Sequence, residues 1–134
     1  MAGLHDLLLI SGLLGLIFMG LSADVSRQRI ITRVLIGDGD GQAGTAKLRN
    51  AVRAQANFAE YVPLILLLLA GASYAGAPLA LVLWPAIALV PARIAHAVGM
   101  HRPVPNPFRA SGALLTWAVL IFASVQAVIL GLRG

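Results

Sequence analysis

Residues 53–63 read RAQANFAEYVP, and the run LILLLLAGA follows directly at 64–72. Arg53, Asn57 and Glu60 are spaced i, i+4, i+7, so on a helix they form one stripe. That stripe leads into a segment apolar enough to lie in lipid. A charge at the centre of a membrane helix costs roughly 2.5–3.5 kcal/mol on insertion scales, and less near the interface. Polar residues in such a place are candidates for function.

The surrounding composition sets the class. Of 134 residues, 59% are hydrophobic and 11% charged, and mean hydropathy is +0.87. Soluble domains carry about 25% charged residues, so this is an integral membrane protein of one domain. A pI near 11.2 is also common in nucleic-acid binders, but the apolar fraction argues against nucleic acid as a partner. Lys and Arg gather instead between apolar runs, where they set topology. The chain has no cysteine, which excludes disulfides, thiolate metal sites and a cysteine nucleophile. Three scattered histidines make no metal site.

Working outward from 53–72, four spans are expected. The first covers about 4–23, around the continuous run LLLISGLLGLIFMGL at 7–21, because ~20 residues cross a bilayer core. Only His5 and Asp6 precede the run, so it lacks the basic start of a cleavable signal. It reads as an uncleaved helix with its N-terminus outside. Gly12, Gly15 and Gly20 imply close helix–helix approach, and Arg27, Arg29 and Arg33 fall on a cytoplasmic extension. The GDGDG at 37–41 reads as a flexible, turn-rich loop; it lacks the downstream glutamate of a calcium loop. The second helix runs over 57–72 with a cytoplasmic extension from 45, where Thr45 is the expected N-cap, and Pro63 should kink it beside Glu60. SYAGAP at 73–78 turns into a third helix over 79–99, in which Arg93, His96 and Met100 share a face at i, i+3, i+7. Three prolines in MHRPVPNPFR (100–109) exclude a regular helix. The fourth helix covers about 109–132.

Charge then fixes orientation. The first and third connections, with their flanking turns, hold nine of the ten Lys and Arg residues. The positive-inside rule places that side in the cytoplasm. The expected fold is an all-α, up–down bundle of four transmembrane helices. Its geometry brings Arg27 and Arg29, Arg53–Glu60, Arg93 and His96, and Arg109 to one membrane face. Guanidinium groups pair with carboxylates and a glutamate takes an ammonium. A small zwitterion with more than one carboxylate suits such a cluster, and an apolar second substrate could reach it from lipid.

At RAQANFAEYVP, at RIAHAVG (93–99) and at PNPFR (105–109), and in its four-helix layout, the chain resembles the MAPEG superfamily, the membrane-associated proteins in eicosanoid and glutathione metabolism. The resemblance spans nearly the whole chain. It implies a homotrimer with glutathione, as co-substrate, held between neighbouring subunits. By position, Arg53, Asn57 and Glu60 match the family's glutathione-holding residues. Gln55 and Tyr61 match peptide contacts of the leukotriene-forming synthase, and Arg93 and His96 match an Arg and a His of the prostaglandin E synthase. Arg109 falls where the family places the arginine that stabilises the glutathione thiolate, and Arg27 or Arg29 matches an arginine that binds a ligand carboxylate. The chain departs from the eukaryotic enzymes at Met100, His96 and Ala113, where those enzymes carry tyrosines. It looks more like the bacterial branch, which implies an inner-membrane location.

The resemblance therefore implies a glutathione transferase or peroxidase, acting on lipophilic electrophiles or hydroperoxides that partition from membrane lipid. The alternative is a non-catalytic protein that binds lipid or a partner, with the polar stripe holding a trimer together.

Overall fold

The computed structural model describes residues 2–133, with side chains from Leu4 onward. It contains four helices: α1 (Ala2–Thr32), α2 (Ala46–Tyr74), α3 (Leu79–Met100) and α4 (Pro107–Gly131). All four are long and apolar enough to cross a membrane, and among the described residues there is no strand. The fold is an all-α membrane bundle.

Helix length separates two parts of the molecule. At 1.5 Å per residue, the 22 residues of α3 span about 33 Å, close to the ~30 Å hydrocarbon core. α1 and α2, with 31 and 29 residues, reach about 46 and 44 Å. Their surplus forms a stem at the end that carries the arginines. Val25, Val34, Leu48 and Ala51 make a small second core there. Gln55 Nε2 donates to Ser22 Oγ at 2.8 Å, tying the two long helices together.

The main core follows from spacing. Beyond the stem, the buried residues of α2 are Ala54, Phe58, Val62, Ile65, Leu69 and Ala72, spaced by four or three, which keeps one seam facing inward. α3 buries Val82, Ala86 and Leu89 on the same rhythm, and the rhythm continues through Arg93, His96 and Met100. α4 buries Gly112, Thr116, Val119 and Ala123. The outward faces are apolar too, with Leu8, Leu16, Leu67, Trp84 and Ile121 all exposed, as suits helices whose solvent is lipid.

Close backbone approach at glycine is not where the glycines of α1 predict it. An added Cβ at Gly12, Gly15 or Gly20 meets nothing within 4 Å. At Gly99 the Cβ would overlap the Arg109 backbone, and at Gly112 it would lie 2.6 Å from the Ala92 carbonyl oxygen. Within the protomer, the glycines that permit backbone approach are those joining α3 to α4.

One expectation for the first connection is also corrected, the place of Arg33. The GDGDG segment is a run of turns, as its glycines require. Thr45 is 3% exposed, and its hydroxyl lies 2.6 Å from the Gly39 carbonyl and 2.8 Å from that of Gln42. Thr45 stands at the N-cap position but makes no side-chain cap bond, because its hydroxyl is turned back to hold the loop. A Cβ at Gly39 (φ 74°) would sit 2.7 Å from the Thr45 side chain. Arg49 adds an exposed ion pair to Asp40 at 3.2 Å. Arg33 is not on the extension of α1 but just past it, at φ 58°.

Candidate functional site

The polar end of the bundle holds an open cavity of about 290 Å³. α2 contributes Arg53, Asn57 and Glu60 to its wall, on the i, i+4, i+7 stripe. α3 contributes His96 and Met100, α4 contributes Arg109, and the first connection contributes Asp38. Two guanidiniums and two carboxylates thus face one space with an amide and an imidazole. Arg53, Glu60 and Arg109 are exposed, whereas His96 is 4% exposed. The cavity has an exposed, charged rim and a packed inner wall.

Arg93 stands behind that wall. It is fully buried, and its guanidinium is held from four sides. One terminal nitrogen donates to Asn57 Oδ1 at 2.9 Å and to Thr116 Oγ1 at 3.3 Å. The other lies 3.4 Å from His96 Nδ1. The Phe58 ring centroid is 5.3 Å from the guanidinium carbon, a cation–π distance. Thr116 passes its own proton to the Gly112 carbonyl at 2.7 Å, leaving a lone pair for Arg93. The Arg93 Nε has no partner. No carboxylate pairs with Arg93 among the described residues; neutral dipoles and a ring hold this cation.

Arg109 is placed by the segment before it. Asn106 is the N-cap of α4; its side-chain oxygen accepts from the Arg109 amide at 2.9 Å. Its amide nitrogen donates to the Gly99 carbonyl at 3.0 Å and the Pro103 carbonyl at 3.2 Å. One side chain therefore joins the last turn of α3 to the first turn of α4. Arg102 lies over the Phe108 ring at 4.3 Å, bracing the same connector. On its far side, His101 meets Asp24 of α1 at 3.3 Å.

Several sequence-selected residues lie elsewhere. Gln55 faces Ser22 of α1. Tyr61 is half-buried and packs on the main core. Arg29 donates to the Val34 carbonyl at 3.3 Å, closing the end of α1, and Arg27 is exposed. None of these four lines the cavity of the single chain. Sequence reading missed Asp38, Asn106 and Thr116. The clue to Asn106 was present, an Asn before a Pro that opens a helix. Thr116 sits on the buried rhythm of α4. For Asp38, nothing local in GDGDG says which way its carboxylate turns.

A second cavity, of about 260 Å³, lies between α1 and α2 on the neighbouring face of α2. It is lined by Leu14, Phe18, Phe58, Val62 and Leu66 among others, and Ser11, which also lines it, has its hydroxyl turned to the Leu7 carbonyl. A polar site and an apolar groove therefore share one helix, on different faces of it.

Comparison with known proteins covers nearly the same ground. Residues 7–129 match the MAPEG family. The chain is 34% identical over 106 residues to the inner membrane protein YecN of Escherichia coli strain K12; the match covers 79% of this chain and 77% of that protein. YecN of Escherichia coli O6:H1 strain CFT073 matches to the same extent. No solved structure matches significantly.

Proposed function

The chain belongs to the MAPEG family, and from that premise we propose that it is a glutathione-dependent enzyme of the bacterial inner membrane, with transferase activity, peroxidase activity or both. The observation that carries this reading is the convergence of Arg53, Asn57, Glu60, His96 and Arg109, from three helices, on one cavity. Glutathione has two carboxylates, an ammonium and a thiol. Arg53 and Arg109 suit its anionic groups, Glu60 and Asp38 suit the ammonium, and Asn57 and His96 suit the peptide and the remaining carboxylate.

Arg109 is the proposed catalytic residue. A positive charge beside a thiol favours the thiolate, and the thiolate is the nucleophile. In conjugation, its sulfur forms a bond to an electrophilic carbon, whose leaving group departs with the bonding pair. In peroxide reduction, two glutathiones become the disulfide while the hydroperoxide becomes alcohol and water. A lipophilic substrate would reach the site from the membrane, and the apolar groove beside Glu60 supports that approach.

The assembly is proposed as a homotrimer with the site facing the cytoplasm. In the single chain Arg53, Glu60 and Arg109 are open, which suits a site completed by a neighbouring copy. Arg27 or Arg29, Gln55 and Tyr61 would then contact ligand only at that junction.

Calorimetric titration of the detergent-purified protein with glutathione tests the reading, with Arg53→Ala and Arg109→Ala in parallel. Saturable binding in the wild type and its loss in Arg53→Ala are expected. Arg109→Ala should keep its oligomeric state but lose thiolate absorbance and most turnover. Absence of binding at millimolar glutathione by a folded wild type would refute the proposal and favour a structural role for the polar stripe.

A further inference from the structure

Arg93 is a fully buried cation with no carboxylate partner among the described residues, and two of its partners, Asn57 and His96, line the cavity. A guanidinium has five N–H donors and no acceptor. Any group that bonds to it must turn an acceptor inward. For Asn57 that is the amide oxygen, which leaves the NH₂ for other partners. For His96 it is a bare Nδ1, so the proton of the neutral ring belongs on Nε2. Thr116 already obeys the same constraint, since its proton goes to Gly112 O. The polarity of one buried side chain thus sets the donor pattern of its neighbours.

We propose that Arg93 is a positioning residue that fixes His96 as the Nε2–H tautomer and Asn57 with its amide NH₂ turned away from Arg93, so that the inner wall of the cavity offers N–H donors to an anionic group. The identity of that anion rests on the glutathione reading; the tautomer and the amide orientation do not. A neutral imidazole is otherwise free to carry its proton on either nitrogen, and an amide can rotate to expose either face. Arg93 removes both freedoms before any ligand arrives. It touches no ligand itself, and the Phe58 ring and three neutral acceptors keep it in place without a competing carboxylate.

The test is nitrogen NMR of the full chain labelled with ¹⁵N-histidine, with His96→Gln used to separate His96 from His5 and His101. The wild type should show His96 neutral, with the proton on Nε2. Arg93→Met should give averaged signals from both tautomers. Arg93→Lys should restore Nε2–H, because an ammonium also only donates. A glutathione titration should show affinity falling roughly tenfold in Arg93→Met, the equivalent of one hydrogen bond to a charged group, with partial recovery in Arg93→Lys. An Nδ1–H ring in the wild type overturns the proposal, as does a wild-type pattern in Arg93→Met. If Arg93→Met does not assemble, the wild type and Arg93→Lys decide, and Nδ1–H in either overturns it. Glutathione failing to bind while His96 stays Nε2–H would defeat the proposed function alone; glutathione binding beside an Nδ1–H ring would defeat this inference alone.

Discussion

The α3–α4 seam and the α1 side of the bundle are built from the same residue types to different ends. Both contain glycines in apolar helices. At the seam, Gly99 and Gly112 admit the backbone of the facing helix. On α1, Gly12, Gly15 and Gly20 face open space within the protomer. At the seam, hydrogen bonds cross between helices through Asn106 and through Arg93 to Thr116. Along α1, Ser11 and Ser22 turn their hydroxyls back to their own helix, at Leu7 O and Phe18 O, and Ser22 alone of the two also accepts a bond from α2. A glycine in a membrane helix thus says nothing about contact until its neighbour is known. The seam is where precise spacing matters, because His96 and Arg109 face the cavity from its two sides.

The comparison can be broken most sharply at Gly112. Gly112→Ala places a methyl group against the backbone of α3, and overpacking of this kind costs about 3 kcal/mol. Loss of the folded bundle in a detergent melt is expected; an unchanged melting point would mean the seam is looser than described. Next comes Asn106→Ala, which removes an N-cap and its bond to α3. A destabilisation of about 1–2 kcal/mol is expected, and the glutathione-dependent activity proposed above should fall with it, because Arg109 is no longer anchored. Ser22→Ala removes the side-chain bond that Gln55 makes from α2 to α1 near the stem, and about 0.5–1 kcal/mol should be lost in the same melt. Smallest is Gly12→Ala. It should leave the protomer within about 0.5 kcal/mol of wild type. A shift in oligomeric state by light scattering would sharpen the contrast, because it would mean that a second copy uses the open glycine face.

The sequence made the four spans legible because twenty apolar residues have few alternatives. It also made the cavity partly legible. The stripe Arg53–Asn57–Glu60 follows from helical spacing alone, and charge distribution draws His96 and Arg109 to the same end. Spacing groups Arg93 with His96 and Met100, but does not by itself say that Arg93 turns inward. Extending their spacing backward through Leu89, Ala86 and Val82 would have placed all three on the core stripe. What spacing cannot reveal is direction across gaps in the chain. Asp38 reaches the cavity through a loop whose path depends on Thr45, and Asn106 acts through a carbonyl seven residues earlier. Such contacts depend on where two helices end relative to each other, and no local pattern encodes that.

Pro103 and Pro105 lie in the connector between α3 and α4, and Pro107 opens α4. They have a further consequence for Arg109. Each proline narrows the backbone states open to the unfolded chain, so less conformational entropy is lost when the connector settles. The settled connector is then held by Asn106 at both ends and by Arg102 over Phe108. Arg109 therefore enters the cavity on backbone that is already ordered. A ligand that meets its guanidinium need only quiet one side chain, rather than freeze a loop, and more of the contact energy remains as affinity.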